Sequence, residues 1–327
     1  MNLKKLTKPQ LRRVARKVGV QVTSTDRKSD ILQKLIAPLG HYSMMRNLPG
    51  DVIQNYIGPG LDRVSLANLL HTSAENRDLL IDELESRRFR ADDTTIRTAV
   101  EHYLRDPTEA TEIYGPISSW DVSRVTDMSR LFEQAYFFNE DLSKWDVSNV
   151  TDMEGMFFLA TKFNGDLSTW NVSQVTDMGD MFREAVHFNR DLSKWNVSNV
   201  TNMEGMFAYS NLNRDLSKWN VSNVKNMGDM FREAEHFNGD LSNWDVSGVT
   251  DMDSMFKEAI SFNRNISRWD VGNVTDMSSM FAGATSFNVD LSRWDISSVI
   301  NNSEMFARAR SFNRYNAPWC NEDCFGD

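Results

Sequence analysis

The stretch Trp145–Thr169 reads WDVSNVTDMEGMFFLATKFNGDLST, and near-copies of it run from Trp120 to Trp319. All nine tryptophans fall in that interval, at 120, 145, 170, 195, 219, 244, 269, 294 and 319. Every step is 25 residues except 195 to 219, which is 24. A fixed period of this size marks a solenoid or a propeller. A propeller blade needs about 40 residues and several strands, so the period predicts a solenoid.

The apolar positions of one unit are Trp145, Val147, Val150, Met153, Met156, Phe157, Ala160, Phe163 and Leu167. The β-favouring portion Leu142-x-x-Trp145-x-Val147 predicts a short strand. Met153, Met156, Phe157 and Ala160 have i, i+3, i+4, i+7 spacing, which predicts a short helix. Thr151 and Glu154, like Thr201 and Glu204, are placed as a capping box at its start. Asn164-Gly165-Asp166 then turns the chain. The expected fold class is an α/β repeat solenoid, with parallel strands plus short helices and all-α modules in front. Stacking at ~4.8 Å would turn each apolar position into a column and give a body on the order of 40 Å long. Each indole would remove roughly 150–250 Å² from water. The missing residue of the 24-residue unit lies around Tyr209–Leu212, where Leu212 replaces the usual Phe.

The recurring phrase, as in Trp145-Asp146-Val147-Ser148 through Phe163-Asn164 and Asp166-Leu167-Ser168, resembles the BspA-like surface-protein leucine-rich repeat. The resemblance covers about residues 113–319 and implies a leucine-rich-repeat-like solenoid that binds other molecules rather than a catalyst. Many members of that family are secreted or surface-anchored.

Composition points elsewhere on location. The start MNLKKLTKPQLRR carries charges where a signal peptide needs an apolar run, and no stretch is long enough to span a membrane. The expectation is an intracellular protein, in cytoplasm or nucleus, or a particle assembled in the cytoplasm. Sequons such as Asn149-Val150-Thr151, Asn171-Val172-Ser173, Asn196-Val197-Ser198 and Asn220-Val221-Ser222 read as repeat chemistry, because a glycan there would crowd the strand face. Charge is uneven: residues 1–40 carry a net +8 and the rest a net −18 within the overall −10. A basic head on an acidic body suggests two kinds of partner.

Five segments follow. Residues 1–39 read as two short helices, the first from Lys8 to Lys17 and the second from Ser29 to Leu35. They resemble the helix-extension-helix domains of the SAP and Rho N-terminal type. That resemblance implies nucleic-acid binding through Lys4, Lys5, Arg12, Arg13, Arg16 and Lys17; a tether for an acidic protein surface is the alternative. Residues 40–92, with Leu48-Pro49 followed by amphipathic helices, resemble the F-box, although the aromatic usual after the second helix is missing. The resemblance implies that Leu48, Pro49, Ile53, Ile57, Leu61 and Leu66 dock on a Skp-type ubiquitin-ligase adaptor. A plain three-helix bundle is the other reading.

Residues 93–119 form an N-terminal cap, with Ile96, Ala99, Val100, Tyr103 and Leu104 at helical spacing. Residues 120–318 hold eight repeats, and 319–327 a C-terminal cap, with Asn302 and Asn316 replacing apolar residues in the last unit.

Chemistry is sparse. Cys320 and Cys324 lack nearby His or further Cys, which excludes the usual zinc spacing and leaves a disulfide or two free thiols. His187 and His236 share a column two units apart, ~10 Å, too far for a shared metal. Asp245, Asp270 and Asp295 form a ladder, but calcium needs about six to eight oxygens around one point. No phosphate loop, nucleophile elbow or catalytic dyad is present, so no cofactor, no metal and no enzyme activity is expected.

Binding is expected on two faces. The strand face offers Lys144, Asp146, Lys194, Lys218, Asp245, Arg268, Asp270, Arg293 and Asp295 to a protein partner. The helix face offers Phe158, Leu159 and Tyr209, where other units carry Arg183-Glu184 or Arg232-Glu233. Two functions compete: a protein-interaction adaptor feeding a ubiquitin ligase, and a structural shell, virion or surface component held by its basic head.

Overall fold

The computed structural model describes residues 7–17, 21–23, 25–27, 29–30 and 88–326. The chain divides into two units, residues 1–89 with 108–115, and residues 90–107 with 116–327. The division assigns the expected cap, 93–119, partly to each. The expected F-box-like residues Leu48, Pro49, Ile53, Ile57, Leu61 and Leu66 lie outside the described residues, as do Lys4 and Lys5.

In the first unit, α1 (Lys8–Lys17) has the bounds its spacing predicts, and Leu11 and Ala15, one turn apart, are fully buried. The Arg12 guanidinium donates to the Thr23 carbonyl at 3.0 Å. Of the two further helices in the chain, α2 (Asp93–Arg105) belongs to the second unit, and α3 (Pro107–Tyr114) falls in the first from its second residue on.

In the second unit, each coil lies on the next in one register. Isolated parallel bridges join Asp127, Asp152, Asp177, Asn202, Asn226, Asp251, Asp276 and Asn301 in series. Each coil therefore contributes a single residue of extended pairing. The strand expected over Leu142–Val147 is absent. In its place are two tight turns, with Trp145 N–H on the Leu142 carbonyl and Val150 N–H on the Val147 carbonyl, both at 3.0 Å. The physical reason is the acidic residue heading each turn. Asp141 Oδ1 accepts Ser143 N–H at 2.9 Å and Asp146 Oδ1 accepts Ser148 N–H at 3.1 Å, a side-chain mimic of a turn that competes with extended pairing.

The helix expected over Met153–Ala160 is also replaced. Gly155 and Leu159 have φ of 57° and 58°, and the equivalent pairs in other coils share the left-handed backbone. Alternate N–H groups fold back within the coil, as Met156 to Met153 O and Phe158 to Gly155 O. The others reach the next coil, as Gly155 to Gly179 O at 2.8 Å and Phe157 to Met181 O at 2.9 Å. A helix would spend every N–H inside its own segment and leave none to join coils. The turns still point Met153, Met156, Phe157 and Ala160 inward, and all four are fully buried. The capping boxes dissolve with the helix: Thr151 Oγ1 donates to the Thr126 carbonyl, and Glu154 pairs with Arg130 at 2.7 Å.

The core is a set of aromatic columns. Phe157 stacks on Phe163 of its own coil at 4.0 Å and on Phe182 of the next at 5.5 Å. Trp219, Trp244 and Trp269 stack at 6.4 Å with planes within 4° of parallel. From Trp145 onward each indole N–H donates to a carbonyl about one coil back, as Trp170 Nε1 to Leu142 O at 3.0 Å and Trp244 Nε1 to Leu216 O at 3.0 Å. That carbonyl acceptor explains why Trp can lie in a closed apolar column.

An asparagine ladder runs beside it: Asn164 N–H donates to Asn139 Oδ1 at 2.8 Å, and the pattern repeats to Asn313 on Asn288 at 2.9 Å.

The short coil shows where its residue was lost. Asn211 alone spans the gap that Thr161-Lys162 fills elsewhere. Buried Ser210 replaces the usual Ala; its hydroxyl donates to Phe207 O at 2.8 Å and accepts Leu212 N–H at 3.4 Å. Ser210→Ala should cost about 1–2 kcal/mol, because Leu212 N–H then loses its acceptor in a buried place. Chemical denaturation of the single variant measures this; a change below a few tenths would show that the hydroxyl is dispensable.

Both ends of the stack are covered by stand-ins for a missing coil. At the front, α2 buries Ile96, Ala99, Val100 and Tyr103, and Tyr103 meets Trp120 edge-on at 6.0 Å. Asp92 closes a capping box with Thr95. Asp93 then accepts Thr126 N–H at 2.6 Å, Thr126 Oγ1 at 2.8 Å and Asp127 N–H at 3.1 Å. In later coils those groups find the carbonyl of the coil before, as Thr151 N–H finds Thr126 O. At the back, Asp323 and Cys324 carbonyls accept Glu304 and Phe306 N–H at 2.8 and 2.7 Å. Phe325 continues the phenylalanine column on Phe306 at 5.7 Å, and a Cys320–Cys324 disulfide closes this segment.

Candidate interaction face

What each coil leaves to solvent follows from what it spends on itself. Three Asp or Asn columns per coil accept the N–H two residues on, heading turns at Asp141, Asp146 and Asp152 and their equivalents. Hydrogen bonds from Ser247 hold the Asp245 carboxyl below its ordinary range, and those from Ser297 do the same for Asp295. Asp146, Asp245, Asp270 and Asp295, expected as partner contacts, therefore have a structural task as turn heads. They are also exposed, so the two roles are compatible in space.

Lys144, Lys194, Lys218, Arg268 and Arg293 are exposed and share one register position, immediately before a buried Trp, which Thr169 and Asn243 occupy in two other coils. They appear in no ion pair among the described residues. The row is thus a set of cations on a scaffold whose carboxylates are already committed to turns.

The second expected patch is less open. Phe158, Leu159 and Tyr209 are half-buried. Tyr209 lies between two guanidinium groups, Arg183 at 5.6 Å and Arg232 at 5.8 Å from its ring centre. Arg183 is fixed by Asp180 at 3.2 Å and Arg232 by Asp229 at 3.3 Å. Desolvation raises the Tyr209 phenol above its ordinary value. It also raises Asp229, against the pull of Arg232 and Arg183. The cluster is a clamp across three coils, centred on the coil that lost a residue; it ties Tyr209 down instead of presenting it. Phe158 and Leu159 have no such clamp among the contacts described here.

Of the basic N-terminal residues, Arg12 is engaged with Thr23; Arg13, Arg16 and Lys17 lie in α1. Among the described residues, no three His, Cys, Asp or Glu side chains converge as metal ligands would, and no helix is long and apolar enough to cross a membrane.

The carboxylate column of the bridges carries its own stress. Asp152 is raised above the usual carboxylate range, first by desolvation and then by Asp177 and Asp127 on either side, against the bond from Glu154 N–H. A raised folded-state value means that ionisation costs stability, so the fold gains as pH falls through that value towards the unfolded one. Asp152→Asn should therefore stabilise the chain at neutral pH by up to about 1 kcal/mol, and the gain should vanish below about pH 4. Asn202 shows the compensating geometry, donating Nδ2 to both oxygens of Asp177 at 3.0 and 3.2 Å. Melting curves of both forms across that pH range decide it; destabilisation at neutral pH would be the contrary result.

Sequence reading missed two features. The asparagine ladder had a visible signal, an Asn after each unit's Phe or Leu, but its purpose needs the neighbouring coil. The arginine column Arg190, Arg214, Arg264 and Arg314 was also missed, because Gly239 and Val289 interrupt it.

These columns and turns define a tandem-repeat protein whose coils are joined through main-chain and ring stacking and whose outer faces vary from coil to coil. The family described as "Mycoplasma protein of unknown function, DUF285" matches residues 104–212 and again 208–319. The chain belongs to that family, and the two matches agree with the BspA-like repeat character of its central phrase. No curated protein and no solved structure matches the chain.

Proposed function

We propose that this is a non-enzymatic interaction protein, a repeat solenoid of leucine-rich-repeat-like class that holds a protein partner on its outer face. The observation that carries this reading is the exposed row Lys144, Lys194, Lys218, Arg268 and Arg293, none of which forms an ion pair among the described residues. Positive side chains at one register, interrupted only by Thr169 and Asn243 between Lys144 and Arg293, suit an acidic protein surface. Reversing Lys194, Lys218 and Arg268 to Glu should abolish capture of the partner at unchanged melting temperature. Retained capture would remove this face from the reading.

In the adaptor form of the proposal, the F-box-like segment around Leu48 and Pro49 recruits a Skp-type protein and the coils hold the target. Co-purification lost on Leu48→Asp with Pro49→Asp tests it, and no association at micromolar concentration would end it. Nucleic-acid tethering through the basic N-terminus fits either form and predicts binding that weakens steeply with salt.

A second reading is a shell or surface component that displays the coils. The Cys320–Cys324 disulfide favours it, since such bonds persist in oxidising compartments. Alkylation of the unreduced protein from its source separates the two settings: blocked cysteines favour surface exposure, and free thiols favour a cytoplasmic adaptor.

A further inference from the structure

The arginine column is built. Arg190 Nε donates to the Asn164 carbonyl at 2.8 Å, Arg214 Nε to Asn189 O at 3.0 Å and Arg264 Nε to Asn238 O at 2.7 Å. Each guanidinium is thus steered by its inner nitrogen, which leaves the outer nitrogens for something else. None of the three forms an ion pair among the described residues. Between Arg214 and Arg264 the column holds Gly239, where a Cβ would meet the Arg214 carbonyl at 2.7 Å, and a surface notch of about 330 Å³ lies beside it. The two arginines stand at its two sides, two coils or ~10 Å apart in the stack.

The lining between them is neither apolar nor uniformly basic. Asp215 and Asp240 line the notch, with Ser217 and the amides of Asn213 and Asn238. Each carboxylate uses Oδ1 to accept a serine N–H at 2.9 Å, from Ser217 and Ser242, which leaves the second oxygen as an acceptor. Hydrogen bonds from Ser217 hold the Asp215 carboxyl below its ordinary range, so it is ionised at neutral pH. The lining offers no apolar floor to a lipid or an apolar peptide. Cations that fix an anionic group, beside carboxylates and amides that accept and donate to hydroxyls, match a ligand rich in hydroxyls with spaced negative charges.

We propose that the notch at Gly239 is a binding site for an acidic oligosaccharide, with Arg214 and Arg264 on carboxylates of two uronate sugars and Asp240 accepting hydroxyls of the neutral sugar between them. The site is separate from the lysine and arginine row before the tryptophans and does not depend on the protein-partner reading.

The test uses the full chain and a hyaluronan tetrasaccharide, whose uronates alternate with neutral sugars, titrated calorimetrically beside neutral chitotetraose. Saturable binding of the first and none of the second is expected. R214Q with R264Q should weaken binding by about tenfold or more. The double variant also loses the Nε bonds to Asn189 O and Asn238 O, so a circular-dichroism melt checks that it is fully folded at the titration temperature. D240N keeps the turn, as Asn265 does with Ser267 at 3.1 Å, and separates recognition from charge attraction. Loss of an acceptor should weaken binding, whereas simple ion exchange would make D240N bind tighter. No saturable binding of the tetrasaccharide, equal binding of chitotetraose, indifference to R214Q with R264Q, or tighter binding by D240N would each overturn the proposal.

Discussion

Trp244→Ala will lower the unfolding free energy by about 3–5 kcal/mol, the largest effect expected of any single substitution in the coils. The ring is 3% exposed and fills a column between Trp219 and Trp269, both 6.4 Å away, with Phe231 at its flank at 6.4 Å. Removal leaves a cavity that the coils above and below cannot close, because each is held in register by its own Asp or Asn bridge and asparagine rung. The polar part of the loss is small. Leu216 O still accepts Trp219 N–H at 3.0 Å after the indole N–H is gone. Trp244→Phe should therefore recover most of the stability, since it restores ring volume without the donor. Denaturant titration of the two variants checks the ordering; equal losses would mean that the indole hydrogen bond, and not packing, dominates. Stability in a repeat stack is carried by neighbour interfaces, so the alanine variant should also broaden the transition.

Asp93→Ala will destabilise by about 1–3 kcal/mol, and the cost will depend on pH. The side chain takes three hydrogen bonds from Thr126 and Asp127 in place of a coil that is not there. Desolvation, the largest single influence on this carboxyl, raises it, but the hydrogen bonds from Thr126 and Asp127 together hold it below the ordinary value. A depressed folded-state value means the contribution is full above the unfolded-state pKa of about 3.9 and fades as pH falls through the folded one. Wild type and Asp93→Ala should thus differ at pH 7 and converge in acid. Parallel denaturation curves that keep a constant gap down to pH 2 would show that the carboxylate charge is irrelevant to the cap. The exposure of this site keeps the effect modest.

The period, the inward set Trp145, Val147, Val150, Met153, Met156, Phe157, Ala160, Phe163 and Leu167, and the site of the deletion were all legible in one chain of letters. They depend on burial, and burial depends only on which residues are apolar and how often they recur. The shape of the backbone between them was not legible. Spacing of i, i+3, i+4, i+7 suits both a helix and two successive turns with left-handed residues at Gly155 and Leu159. What decides between them is the partner of each alternate N–H, and that partner is on another coil.

The candidate faces divide in the same way. Lys194, Lys218 and Arg268 could be placed in one exposed row by counting from Trp. Tyr209 could not be assigned correctly, because Arg183 and Arg232 come to it from the coils on either side. Asp93 and Asp323 likewise look like ordinary surface acids in the sequence. Sequence by itself determined which side chains are buried and how often, since hydrophobic burial is a property of local composition and period. Only the tertiary structure decided which polar groups were spent and which were left over, because a donor at one position finds its acceptor a whole coil away.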